Sequence, residues 1–195
     1  MDKTPKIALY GGSFDPPHIA HLAVIYQALE CLDIDRLIIL VAYQNPFKGA
    51  PCFSPAQRYA WMQGLLKGLP KVQVSDFEIR AQRPVPSIES VLHFSHTLKP
   101  SKLYFILGAD NMAHLPQWEG YALMQELVEF VVVQRQGYTL TSPHSCIYMP
   151  LPQITHSISS SQIRTLLAQH KIPAHLPPTL QMGVLKSFKE THARS

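Results

Sequence analysis

The sequence is poor in several features that would each have set a direction. It has 3 cysteines among 195 residues, Cys31, Cys52 and Cys146, with no CxxC pair. Neither a disulfide framework nor a zinc finger is therefore expected, and a reducing cytoplasm is the default location. Charge is sparse: 15% of residues are Asp, Glu, Lys or Arg, and the formal net charge is +4. That permits an anionic partner but is too mild to argue for nucleic acid. The longest apolar runs, Leu37 to Tyr43 and Phe130 to Val133, fall far below the ~18 residues of a membrane span. No basic start followed by an apolar stretch and a small-residue cleavage site appears, so no signal peptide is expected. Three signatures are also missing, GxxxxGK[ST], GxGxxG and GxSxG. Their absence sets aside the P-loop, the dinucleotide fingerprint and the hydrolase nucleophile elbow.

What the chain does have is apolar material: 46% of its residues are hydrophobic, enough for a sizeable core and too much for a disordered chain. Lys6 to Tyr10 reads as a short strand running into Gly11-Gly12, and Leu22, Ile25, Leu29 and Leu32 recur at helical spacing. Leu37 to Ala42 is a continuous apolar run of strand length, as expected for a strand covered on both faces. Residues 43–54 read as a loop, and Ser54-Pro55 opens a helix reaching about Leu69. Val72 to Ile79 suggests one or two short strands. A helix over Ser87 to Leu98, a strand over Leu103 to Leu107, a short helix over Glu119 to Glu126 and a strand over Phe130 to Val133 follow. Ile147 to Leu151 is a candidate last strand, Ser160 to His170 a helix, and Pro177-Pro178 starts another. This alternation predicts a single Rossmann-like α/β domain, a doubly wound parallel sheet with helices on both faces. Residues 157–195 form a small C-terminal helical extension or subdomain in this reading.

In such a sheet, ligands bind beyond the carboxyl ends of the strands, at the switch point. Two segments are expected there. The first is Gly11-Gly12-Ser13-Phe14-Asp15-Pro16-Pro17-His18-Ile19-Ala20-His21. Glycines allow close backbone approach, and a helix start offers unpaired N–H groups and a positive dipole end. His18 and His21, three apart, face the same way over the first turn. The alternative is a tight strand-to-helix turn with two surface histidines, which eleven coinciding restrictive residues disfavour. The second segment is Ile158-Ser159-Ser160-Ser161-Gln162-Ile163-Arg164. Ser159 with Gln162 fits a capping box, and Ser160 and Ser161 sit one turn before Arg164, so hydroxyls and guanidinium converge on one anion. A well-capped surface helix carrying an arginine is the plainer reading. His93 and His96 have helical spacing but only Glu89 nearby to complete a metal set, so zinc is not expected.

The string G-G-S-F-D-P-P-H-I-A-H resembles the N-terminal motif of the HxGH nucleotidyltransferases, and I-S-S-S-Q-I-R resembles their ISSTxIR motif. Asn45-Pro46-Phe47-Lys48, Gly108-Ala109-Asp110 and Leu115-Pro116-Gln117-Trp118 make the resemblance strongest to the bacterial nicotinate-mononucleotide adenylyltransferases, colinear over about residues 6 to 190. The resemblance implies adenylyl transfer from ATP to nicotinate mononucleotide, with Mg²⁺ accompanying ATP and no residue assigned as its ligand. It implies that Gly11, Gly12, Ser13 and Phe14 contact ATP and that His18 and His21 grip its phosphates. Ser159, Ser160 and Arg164 would hold the far phosphates. Lys48 would reach phosphate from its loop, with Gly108 and Asp110 near the ribose or the metal-bound phosphate. Asn45, Ser87, Trp118 and Arg135 would shape the nicotinate-nucleotide pocket. A core position for Trp118, a solvated loop for Lys48 and a plain loop arginine at 135 are the competing readings. The motif's usual Gly is Ala20 here, and a Tyr-Thr pair before the helix near residue 88 is replaced by Pro86-Ser87. Acceptors such as nicotinamide mononucleotide or phosphopantetheine, and a non-catalytic nucleotide-binding module, are the alternatives. No nucleic acid or membrane partner is expected, and oligomeric state is not set by the sequence. The loop from Asn45 to Phe53 is the candidate lid.

Overall fold

A computed structural model describes residues 4–47, 49–133, 146–151 and 158–192. In chain order the elements are β1 (Lys6–Gly12), α1 (Ile19–Cys31), β2 (Arg36–Val41), α2 (Pro55–Leu66), β3 (Val72–Ser75), α3 (Phe77–Arg80) and α4 (Ser87–Leu98). They continue with β4 (Lys102–Gly108), α5 (Tyr121–Leu127), β5 (Glu129–Val133), β6 (Ile147–Met149), α6 (Ser160–Ala168) and α7 (Pro178–His192). Two single turns of 3₁₀ helix, Ala109–Asn111 and Leu115–Gln117, lie between β4 and α5.

The strands run as near-continuous apolar stretches because alternate residues feed different cores. On one face, Ala8 and Tyr10 of β1, Leu37, Ile39 and Val41 of β2 and Tyr104 and Ile106 of β4 pack with Val24, Ile25 and Ala28 of α1 and Met62 and Leu66 of α2. On the other, Ile7 and Leu9, Ile38 and Leu40, and Leu103, Phe105 and Leu107 pack with Ile88, Val91 and Phe94 of α4 and Met124 of α5. Each such side chain taken fully out of water contributes ~1.5–3 kcal/mol, so a one-residue slip of register would exchange the two cores at once.

All pairings are parallel, in the order β3-β2-β1-β4-β5-β6. The expected doubly wound sheet is therefore present, with the reversal of strand order between β1 and β4. From the carboxyl end of β1 the chain leaves toward α1 on one face, and from β4 toward α5 on the other. The divergence opens a crevice above the two strand ends.

A third apolar cluster joins Ile163 and Leu167 of α6 and Leu180, Val184 and Phe188 of α7 to Ala20 and Phe53. The C-terminal helices thus pack over the start of α1 and the entrance of α2. Their connecting segment closes on the same place, the Ile19 N–H donating to the His175 carbonyl at 3.1 Å.

The stretch 72–79 departs from expectation. Val72 and Val74 belong to β3, but Phe77 and Ile79 lie on the single turn α3. The Ser75 hydroxyl accepts the Phe77 N–H at 3.1 Å, and the Asp76 carbonyl accepts the Arg80 N–H at 2.9 Å, which turns the chain where alternation alone would extend it. Other differences are boundary shifts: α2 ends at Leu66, α6 at Ala168 and β6 at Met149.

Candidate active site

Above the crevice lies a cavity of about 1000 Å³, at the upper end of the usual range for small-molecule sites. Its wall includes Gly11, Gly12, Ser13, Phe14, His18 and His21 from the first loop and helix start, Asn45 from the loop after β2, and Ser87 from the start of α4. Gly108, Asp110 and Trp118 follow β4, and Ser159, Ser160 and Arg164 come from the start of α6. All of these were candidates on sequence grounds, and the fold brings them to one space. Lys48 and Arg135 lie outside the described residues.

The first loop is shaped by its glycine and phenylalanine together. Phe14 takes a left-handed conformation (φ 49°) and folds its ring back over Gly12. A Cβ at Gly12 would sit 2.9 Å from that ring, which explains the glycine. The Phe14 ring then meets His21 edge-on, with centroids 4.9 Å apart, and His21 stacks on His18 at 3.7 Å. His18 is buried, 1% exposed. The His18 N–H donates to His21 Nδ1 at 3.2 Å. An accepting Nδ1 leaves the proton of the neutral ring on Nε2, so His21 presents an N–H donor at its far edge.

Ala20 does not face this space. It is 2% exposed, packed in the third cluster with Phe53, Ile163 and Leu180. The methyl that replaces the motif glycine therefore fills the seam between α1 and the C-terminal helices, on the side away from the cavity.

At the second helix start the anticipated capping box is present: the Ser159 hydroxyl accepts the Gln162 N–H at 3.3 Å, and Gln162 Oε1 accepts the Ser159 N–H at 2.9 Å. The Ser160 hydroxyl donates to the Pro16 carbonyl at 3.1 Å, fastening α6 to the first loop. Arg164 Nη2 donates to the Ser161 hydroxyl at 3.2 Å and Nη1 to the Asp15 carbonyl at 2.6 Å. The N-termini of α1 and α6 are thereby held side by side, each with a positive dipole end facing the cavity.

Sequence reasoning missed three residues of this framework. Asp15, 5% exposed, accepts the Cys52 and Phe53 N–H groups at 2.9 Å each and lies 3.4 Å from Arg164 Nη1. It pins the loop after β2 and α6 to the loop after β1. Arg58 on α2 is fully buried and donates to four backbone carbonyls, those of Ser13, Ala42, Tyr43 and Phe53. Glu78 on α3 is a buried carboxyl in the cavity wall, accepting from the Ser90 hydroxyl at 2.9 Å. Burial pushes its pKa above the ordinary carboxylate range, while the Ser90 hydrogen bond acts the other way. Asp15 lay inside the quoted motif and carried a signal; Arg58 and Glu78 carried none.

Trp118, also in the cavity wall, is half-buried. Its ring meets Phe105 edge-on at 6.2 Å and lies nearly parallel to the exposed Phe47 at 6.4 Å. It is thus partly a core residue and partly a flat wall. Asn45 Oδ1 accepts the Phe47 N–H at 2.8 Å, shaping the turn that carries Phe47. The Asp110 side chain lies across Gly108, where a Cβ would collide with it. His93 stacks on Phe77 at 4.2 Å, a packing role, and no group of three metal-binding side chains occurs among the described residues.

A 3-2-1-4-5-6 parallel sheet with two helix N-termini and a histidine pair at its switch point is the architecture of a nucleotide-handling α/β enzyme. The chain belongs to the cytidylyltransferase-like family, whose profile matches residues 9–166, and within it groups with nicotinate-nucleotide adenylyltransferases. A Helicobacter pylori protein named "Probable nicotinate-nucleotide adenylyltransferase" is 50% identical over 163 residues, 83% of this chain and 92% of the relative. A Nitratiruptor protein of the same name is 37% identical over 184 residues, 94% of this chain and 99% of the relative. Among solved structures, nicotinic acid mononucleotide adenylyltransferase from Plasmodium falciparum, complexed with NaAD, superposes with a TM-score of 0.78 at 20% identity, covering 96% of this chain and 97% of that one. That likeness speaks for the fold. Among the described residues no helix is long and apolar enough to cross a membrane.

Proposed function

We propose that the protein transfers the adenylyl group of ATP to nicotinate mononucleotide, forming deamido-NAD and pyrophosphate. The observation that carries this reading is that one cavity is walled both by the adjoining α1 and α6 N-termini, with His18, His21, Ser160 and Arg164, and by the face of Trp118. The helix N-termini and their side chains suit a polyphosphate, the indole face a planar ring.

In the reaction an oxygen of the acceptor phosphate attacks the α-phosphorus of ATP. The new P–O bond forms as the bond to the bridging oxygen breaks, and the electron pair leaves with pyrophosphate. The nucleophile is already anionic, so the protein supplies no base and forms no covalent intermediate; its contribution is alignment and charge stabilisation. His21, with its proton on Nε2, donates to an α-phosphate oxygen as charge builds there. Arg164 and the α6 N-terminus hold the departing phosphates. Trp118 stacks on the pyridine ring, and Ser87 and Asn45 border it. Mg²⁺ would accompany ATP as part of the substrate and neutralise phosphate charge, and Asp110, an exposed carboxylate of the cavity wall, would approach it.

The test is product identification. ATP and nicotinate mononucleotide should yield deamido-NAD and pyrophosphate in equal amounts by chromatography and mass spectrometry. ATP hydrolysis without a dinucleotide product would refute the reading.

A further inference from the structure

We propose that Arg58 is a positioning residue for the nucleotide site, aiming the backbone N–H groups of Phe14, Tyr43 and Gln44 at the phosphates of the bound nucleotide. The proposal rests on the ATP-binding reading above and adds to it a residue that contacts no substrate.

Arg58 belongs to α2, whose exposed face is ordinary, yet its guanidinium is fully buried beneath the cavity. Nε donates to the Phe53 carbonyl at 3.0 Å. Nη1 donates to Ser13 and Ala42 at 2.6 and 2.7 Å, and Nη2 to Tyr43 at 2.7 Å. These carbonyls come from three separate segments: the loop after β1, the loop after β2 and the entrance of α2. Four donors of one planar fork therefore set the relative placement of all three.

The consequence follows from peptide geometry. In a trans peptide the C=O and the following N–H point in opposite directions. The bonds joining Ser13 to Phe14, Ala42 to Tyr43 and Tyr43 to Gln44 are trans, Asp15–Pro16 being the cis peptide bond of this region. Drawing the carbonyls of Ser13, Ala42 and Tyr43 down to Arg58 turns the N–H groups of Phe14, Tyr43 and Gln44 the other way. Among the described residues these N–H groups have no carbonyl acceptor. Ser13, Phe14, Ala42 and Gln44, together with Arg58, are among the residues of the cavity wall. The arrangement gives a floor of carbonyls turned away from the ligand and a rim of amides turned toward it, as anion sites built from backbone require.

Charge supports the same assignment. Asp15 is the carboxylate whose charge acts on Arg58, and it is already engaged by Arg164 and two backbone amides. Two arginines thus share one carboxylate, leaving this floor net positive where phosphates are expected. A lysine at 58 would keep the charge but offers three donors from a single point, which cannot span carbonyls from three segments.

The experiment uses the intact chain, labelled with ¹⁵N. Titrating the wild-type protein with ATP should shift the amide resonances of Phe14, Tyr43 and Gln44 downfield, well beyond any change in β3. In Arg58→Lys and Arg58→Gln, ATP affinity measured per folded molecule should fall at least tenfold, with those three shifts lost. A purely structural residue would lower the melting temperature but leave both readouts unchanged. Guanidinium ion added to Arg58→Ala should recover part of the affinity. Unmoved Phe14, Tyr43 and Gln44 amides in a wild-type protein that does turn over ATP would overturn the proposal and leave the adenylyltransferase reading standing. This outcome is accessible even if no Arg58 variant folds. A wild-type protein that binds no ATP would overturn both.

Discussion

Replacing His21 by alanine removes two things at once, and the structure allows them to be told apart. The first is the acceptor at Nδ1 for the His18 N–H, a 3.2 Å hydrogen bond at the start of α1. Losing a cap of this kind costs about 1 kcal/mol, which for a chain of this size lowers Tm by roughly 2–4 °C. The second is the Nε2 donor, which the proposed mechanism directs at an oxygen that gains charge only during reaction. Deleting one such donor costs about 3–4 kcal/mol in the transition state, or roughly a hundred- to thousand-fold in kcat. The two effects differ in size and in assay. Asparagine separates them, because its side-chain oxygen can still accept the His18 N–H while its amide falls short of the Nε2 position. His21→Asn should therefore keep most of the stability and still lose turnover. The assay is kcat at saturating ATP and nicotinate mononucleotide, beside ATP affinity and Tm for both variants. Turnover within tenfold of wild type in His21→Ala would remove His21 from the transition state and refute the reasoning. A loss confined to ATP affinity would make it a ground-state ligand only.

Other outcomes follow from single contacts. Trp118→Ala should raise KM for nicotinate mononucleotide about tenfold, with kcat and KM for ATP little changed in steady-state assays, since it removes the flat wall proposed to stack on the pyridine ring. Asp15→Asn should lower Tm by roughly 3–12 °C: one carboxylate oxygen becomes an amide that faces the Cys52 or Phe53 N–H donor to donor, at a cost of roughly 1.5–3 kcal/mol. Glu78→Gln should raise Tm near pH 8 and change it little near pH 4. The folded-state pKa of Glu78 is raised by burial, so the native protein holds that proton more tightly than the unfolded chain. The stability this contributes is fully present below the unfolded pKa and is lost as pH rises through the folded one. Glutamine, always neutral, escapes that loss. Thermal melts across this range check the sign, and a destabilised Glu78→Gln at pH 8 would contradict it.

The strands were legible because burial on both faces leaves little room for polar residues: Leu37 to Val41 is apolar at every position since alternate side chains enter different cores. The two helix starts were legible because capping chemistry is local, as in Ser159 with Gln162. Phe77 and Ile79 misled because, with Glu78 between them, they alternate like a second short strand; the break in phase at Ser75-Asp76, one position out from Val72 and Val74, marks where the chain has turned. Arg58 could not be read at all. Nothing in Pro55-Ala56-Gln57-Arg58 separates an arginine under three loops from one in solvent, because its partners are carbonyls 5 to 45 positions away. The low formal charge was no obstacle to the function, since most donors facing the cavity are helix ends, hydroxyls, imidazoles and amides that the formal count omits.

The identity of the acceptor decides which reaction this site performs. Nicotinate mononucleotide, nicotinamide mononucleotide and phosphopantetheine, each offered with ATP at matched concentration and scored by initial rate of pyrophosphate release, give the most direct test. Nicotinate mononucleotide should show kcat/KM at least tenfold above either of the others. Equal or faster release with phosphopantetheine or the amide would contradict the account.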